Sequence, residues 1–413
     1  MVVPDMSTRH APDARLPLWH MGTGIVAALL GGLALLAWGP ALLAHPLGNP
    51  PTLAVTHLFT LGWLAMTIMG ATYQLVPVVL EVPLASQRLA RASYPLLVGG
   101  VLAMVAGFWL VRTGLLVGGS AAAALALMAY AVQIAVTAGR ARTARSTRGF
   151  FILASAYLLG VAVLGILLAT DWRWGFALPD LVPTHLLFAL AGWVTLLAMG
   201  VSYHLTPMFA LSHDAHADGA SVVLGCFAGG TLLLVAGSAL GWPPAWVAAA
   251  ALLPLGAVAV FLRDQVRLLR ARRRALDVGL RLVAAGFAYL ALTAVVVWLD
   301  LAGLVHIGHG ALVVLALVGW LGCLVGGQTY KIVPFLVWYR HYGARAGRGR
   351  VPLLREMYRE RLANLGSIGL MAAGLLLTTG VAFQLSALER GGAIAWLFGY
   401  GTLAWNMLQV QGA

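Results

Sequence analysis

Four of the eleven histidines, His57, His185, His306 and His309, stand at or near the starts of long apolar runs. An imidazole inside a bilayer is costly and marks a functional site by default. Histidines projected from facing helices are also how a bundle holds heme iron or a metal ion. The bland alternative is a polar ring at the interface, bonded to a lipid headgroup or a neighbour. One such residue favours that alternative; four on equivalent helices favour ligation. His306 and His309 are three apart, which on a continuous helix puts both on one face. That face suits two cofactors, or one ligand and its orienting partner. The candidate ligands are therefore His57, His185, His306 and His309, with Asp300 as a nearby carboxylate that could orient a ring or simply sit in a loop.

The elements that carry these residues repeat. Gly62-Trp63, Gly70, Tyr73 and Pro77 are matched by Gly192-Trp193, Gly200, Tyr203 and Pro207, and again by Gly319-Trp320, Gly327, Tyr330 and Pro334. All three fit G-W-x6-G-x2-Y-x3-P without a gap, 130 and 127 residues apart. One Gly-Trp pair in a membrane helix is ordinary packing. Three gapless copies at one spacing are an internal repeat.

Composition says what kind of helix these are. Of 413 residues, 61% are hydrophobic and 9% charged, with a mean hydropathy of +0.90. A soluble domain has about half its residues apolar and a quarter charged, so a soluble enzyme, a disulfide scaffold and a disordered chain are excluded. Cys226 and Cys323 lie within apolar runs and form no ligand motif. A bilayer core needs about 20 apolar residues per helix. That ruler gives twelve spans, near 20–44, 53–80, 94–115, 118–138, 149–170, 183–211, 220–241, 244–263, 278–299, 304–338, 362–384 and 390–410. The tenth is long, and a bend at Gly308 or Gly310 is expected. The fold class that follows is all-α and polytopic. It is a single membrane domain, 1–413, of three four-helix repeats (about 20–138, 149–263 and 278–410) in a pseudo-threefold arrangement.

All but three of the 26 cationic residues fall in loops on one side, the exceptions being Arg112, Arg173 and Arg390. The positive-inside rule makes that side cytoplasmic, with both termini there, in a prokaryotic cytoplasmic membrane. The net charge of +13 is a topology signal among loops against anionic lipid, not a nucleic-acid site.

Other polar residues read more plainly. His204 follows Tyr203, with Gln74 and Lys331 at the equivalent positions, and these are snorkelling or capping groups. His213 and His216 stand in a polar loop, and His10, His20, His45 and His341 are expected at the interface. Met66, Met69 and Met199 are expected to pack the core. Glu81, Asp171, Asp180, Asp300 and Glu389 lie at or beyond span ends, so no carboxylate relay crosses the membrane.

The chain resembles subunit I of the heme–copper oxidase superfamily. The segment THLFTLGWLAMTIMGATYQLVPV, 56–78, is most similar to the C-type oxidase and nitric oxide reductase branch, with a glycine and proline rhythm also similar to the NnrS family. The resemblance covers nearly the whole chain in architecture and the three repeat helices in motif. It implies His57 as a ligand of a low-spin b heme, His306 and His309 as the helix-ten ligands of one or two hemes, and His185 as a copper ligand. Two departures qualify it. The family's histidine pair on helix seven is missing from span seven, so a complete copper site is not expected. His57 lies five residues before its Gly-Trp pair and His309 ten, an axial offset of about 7.5 Å at 1.5 Å per residue.

The function expected is a heme-b-binding integral membrane protein in electron transfer, or in nitric oxide or oxygen handling, without proton-pumping oxygen reduction. Its partners would be lipid, a cytochrome c or quinol donor and a diatomic gas. The alternatives are an active oxygen or nitric oxide reductase with a variant metal site, and a transporter or metal- and heme-handling protein.

Overall fold

A computed structural model describes residues 13–44, 49–142, 144–175, 181–212, 217–345 and 350–412. His10, His45, His213 and His216 lie outside the described residues. Twelve long helices form among those described: α1 Arg15–Leu43, α2 Pro50–Val79, α3 Gln87–Trp109, α4 Thr113–Arg140, α5 Arg145–Trp174, α6 Val182–Ala210, α7 Ala220–Ala239, α8 Pro244–Arg270, α9 Val278–Leu301, α10 His309–Tyr342, α11 Glu360–Phe383 and α12 Ser386–Gly412. The first eleven are long and apolar enough to cross a bilayer. α12 is 27 residues long but its apolar content is diluted by Trp396, Tyr400, Asn406 and the glutamines near its end. Large apolar side chains such as Leu102, Leu240, Trp246, Phe383 and Leu408 stand exposed on these helices and their ends. Only lipid or another apolar partner accommodates so many.

Most of the expected span limits agree with the helices to within a few residues, but span three, near 94–115, lies too late for α3, span eight stops short of Arg270, and span ten is corrected at its start. Span ten does not begin near residue 304. Gly308 takes φ +78, a conformation that suits glycine, and α10 starts at the next residue. His306 therefore lies in the connection before α10, and His306 and His309 do not share a helix face.

The chain divides into two compact units. One comprises residues 72–275 and 294–306, and so holds α3 to α8 whole. The other comprises 13–71, 276–293 and 307–413, with α1, α10, α11 and α12. α10 is the most enclosed helix: 89% of its most apolar window is buried, against 28% for α8.

Within the first unit, α5 packs on α6 where Gly192 meets Tyr157 and Gly200 meets Phe150. Within the second, α1 meets α2 where Gly70 faces Pro17, His20 and Met21, and α9 meets α10 where Gly319 faces Tyr289 and Gly327 faces Gly279. Gly70, Gly192, Gly200, Gly319 and Gly327 thus admit the preceding helix, close packing that substitutes in lipid for a hydrophobic driving force. The later hairpins recur as well. Gly100 of α3 abuts Ala123 of α4, Gly230 of α7 abuts Pro254 of α8, and Gly369 of α11 abuts Ala395 and Gly399 of α12.

Candidate functional site

The repeat helices share a backbone feature that no side-chain pattern announces. Each widens into π-helical turns around its Gly-Trp pair: Leu58–Ala65 in α2, Leu187–Thr195 in α6 and Leu315–Leu321 in α10. Such widened turns concentrate at functional sites, because they displace side chains from the regular helical grid. The three tryptophans, Trp63, Trp193 and Trp320, are all buried. In α6 the Thr195 hydroxyl donates to the Leu190 carbonyl, satisfying a backbone group within the wide segment.

The candidate histidines stand upstream of these segments. His57 immediately precedes the first, and its Nδ1 lies 2.8 Å from the Leu53 carbonyl. A carbonyl can only accept, so Nδ1 carries the proton and the lone pair resides on Nε2. The ring is half-buried. A fixed ring and tautomer with a basic Nε2 is what an axial heme ligand requires. His185 lies two residues before the second wide segment, with its Cε1 against Gly165 of α5. His309 is the first residue of α10 and is exposed. The His306 side chain is 82% exposed, and its Nδ1 lies 4.0 Å from Asp300 Oδ1. The carboxylate expected near a span-ten histidine is thus paired with His306, at the edge of ion-pair range.

Among the described residues, no three His, Cys, Asp or Glu side chains come together as an ion would need. His185 belongs to no such group. His57 fits an axial heme ligand; His309 offers an exposed imidazole at the head of α10.

Sequence reasoning missed two things. His20 is fully buried beside Gly70, with Nδ1 2.9 Å from the Leu16 carbonyl. The stripe Leu16, His20, Gly24, Ala27 and Gly31 on α1 was the available signal, since one face of small residues implies close packing on that face. Asp264 was missed as well. It lies inside α8, six residues short of the helix end, and is fully buried. Its Oδ2 accepts from the Tyr203 hydroxyl at 3.1 Å and the Gly219 N–H at 3.0 Å, and its Oδ1 from Arg263 Nε and Nη2 at 3.0 and 2.8 Å.

The partner of Tyr203 belongs to a recurring scheme. Every motif tyrosine reaches the helix two further along the chain. The Tyr73 ring meets Tyr130 of α4 at 5.5 Å. Tyr203 meets Phe261 and Asp264 of α8. The Tyr330 hydroxyl accepts from Asn406 Nδ2 of α12 at 3.3 Å. Beside it, Lys331 pairs with Asp277, which corrects the reading of Lys331 as a snorkelling group: it is largely buried. Outside the helices, Tyr358 is held above the ordinary phenol range, first by burial and then by Asp277 and Glu360. Trp63, Phe59, Trp396 and Tyr400 form a further buried cluster in the second unit, with ring centroids 4.4–6.1 Å apart. No protein-family model matches the chain, and no curated protein matches it.

Proposed function

We propose that the chain is a b-heme protein of a prokaryotic cytoplasmic membrane, in which His57 would hold the heme iron and His309 is the second candidate. Its work is electron transfer or the binding of nitric oxide or oxygen. The three repeats are read as a pseudo-threefold bundle related to heme–copper oxidase subunit I, with both termini cytoplasmic. The observation that carries the reading is His57: a half-buried imidazole in an apolar helix, its Nδ1 tied to Leu53 at the mouth of a π-helical segment. Support for the repeat comes from the recurrent glycine contacts and tyrosine partners of α2, α6 and α10.

A bound b heme supplies an iron that carries one electron or takes a gas ligand. The chain's own part is then to bind and orient. The Leu53 carbonyl holds the His57 ring in one tautomer, and Phe59 and Trp63 keep the next turn dry.

The test is the optical spectrum of the purified full-length chain, oxidised and reduced, with pyridine hemochrome quantitation. The expected result is b heme in wild type and its loss in His57→Ala, with a carbon monoxide response deciding whether the iron has an open position. A heme-free preparation from heme-replete cells, or heme retained in His57→Ala, would overturn the assignment.

A further inference from the structure

Pro77 and Pro207 stand four residues after Tyr73 and Tyr203, and a proline has no N–H to offer the carbonyl one turn earlier. At the same two heights the first unit buries amides that no described protein group meets. Gln133 of α4 is 2% exposed and Gln265 of α8 is 1% exposed. Neither the nitrogen nor the oxygen of either amide has a hydrogen-bond partner among the described residues.

The two glutamines stand at similar but not identical positions, Gln133 three residues after Tyr130 and Gln265 four after Phe261. Gln133 lies between Tyr130, whose hydroxyl meets Thr72, and Thr137, whose hydroxyl accepts from the Ala85 N–H beyond the end of α2. Residues 130, 133 and 137 share a helix face, so Gln133 faces α2 near Pro77. Gln265 lies between Phe261, whose ring meets Tyr203, and Arg273, whose N–H reaches the Ala210 carbonyl at the end of α6. Arg273 lies beyond the end of α8, but Gln265 follows Phe261 by four residues and shares its face, so it faces α6 near Pro207. There the Thr206 hydroxyl, beside the proline and 1% exposed, is another buried group without a partner among the described residues.

The third repeat shows the alternative. Asn406 of α12 donates to the Tyr330 hydroxyl and the Arg359 carbonyl, and accepts from the Arg359 N–H. Its amide is closed by protein. A dry amide in a lipid-bounded core forfeits every hydrogen bond it had in water. Polar sites of this kind hold ordered internal water, which needs several partners and finds them here. We infer that Gln133 and Gln265 are internal water-binding sites, each holding ordered water against the proline kink of α2 or α6. The water accepts from the amide N–H and donates to the amide oxygen; at the second site the Thr206 hydroxyl joins it. These sites do not depend on His57 or on any heme.

X-ray radiolytic footprinting of the full-length chain in lipid nanodiscs, in water labelled with heavy oxygen, tests this. Radicals formed from bound water oxidise the side chains around it. Tyr73 and Pro77 at the first site, and Phe261 at the second, are expected to take up label several-fold faster than the equally buried Phe150 and Trp396. Gln133→Met should bring Tyr73 and Pro77 down to the control rate and leave Phe261 unchanged; Gln265→Met should do the reverse, so each variant checks the folding of the other. Wild-type labelling at the control rate would overturn the inference, and this arm needs no variant to fold. Labelling unchanged in both variants would overturn it equally.

Discussion

Replacing Asp264 by alanine removes the acceptor that ties α6, the start of α7 and α8 together in the first unit. The carboxylate is fully buried, and three groups converge on it. Arg263 is 47% exposed, so water takes over its contacts at a cost of about 0–1 kcal/mol. The Gly219 N–H is buried and Tyr203 is half-buried, and losing the acceptor costs each about 1–3 kcal/mol, the hydroxyl at the lower end. Asp264→Ala is therefore expected to destabilise by about 4 kcal/mol, within the range for breaking a buried pair from one side. Asp264→Asn keeps one oxygen for Tyr203 or Gly219 and should cost about half as much. Tyr203→Phe should cost about 1 kcal/mol in wild type and much less in the Asp264→Ala background, because neighbours in one network are not additive. Reversible unfolding in mixed detergent–SDS micelles, followed by tryptophan fluorescence, measures all four species. An Asp264→Ala protein within about 1 kcal/mol of wild type would refute the buried-acceptor account, as would full additivity with Tyr203→Phe.

Two further outcomes follow from other parts of the molecule. Trp396→Ala empties the centre of the aromatic cluster and releases the Ala28 carbonyl from its indole N–H, so it should cost about 3 kcal/mol in the same assay, with Trp396→Phe recovering most of the loss. With Cys226 and Cys323 replaced, an impermeant maleimide should label Arg173→Cys in intact cells and Arg345→Cys only after lysis; the opposite pattern would invert the proposed orientation.

Most of the helical architecture was legible because lipid leaves the chain few choices. A run such as 220–241 must be a helix to satisfy its backbone, and its length follows from the bilayer. Gly308 was legible as one of two bend sites for the long tenth span, and it takes the left-handed conformation that ends the preceding connection. The G-W-x6-G-x2-Y-x3-P spacing pointed to equivalent helices, and their local contacts recur. Helix ends were less legible, and two readings failed there. His306 was assigned to α10 when it precedes it, and Asp264 was left outside a helix that continues to Arg270. An apolar window stops at the first charges, whereas the backbone continues as long as hydrogen bonds remain to be made. Burial of His20 was hidden for a different reason: it depends on what faces Gly70, which is a tertiary fact.

The π-helical segments have a consequence for how the chain tolerates change in length. Each residue in an α-helix advances the side chains by about 100° around the axis, so a wide turn resets the phase of everything that follows. Tyr73, Tyr203 and Tyr330 all lie downstream of such a reset, and all find their partners on the helix two further along the chain. A single residue deleted between Leu58 and Ala65 would be absorbed there, the wide turns closing to a regular α-helix, so that the Tyr73–Tyr130 contact survives while the side chains around Trp63 lose their displacement.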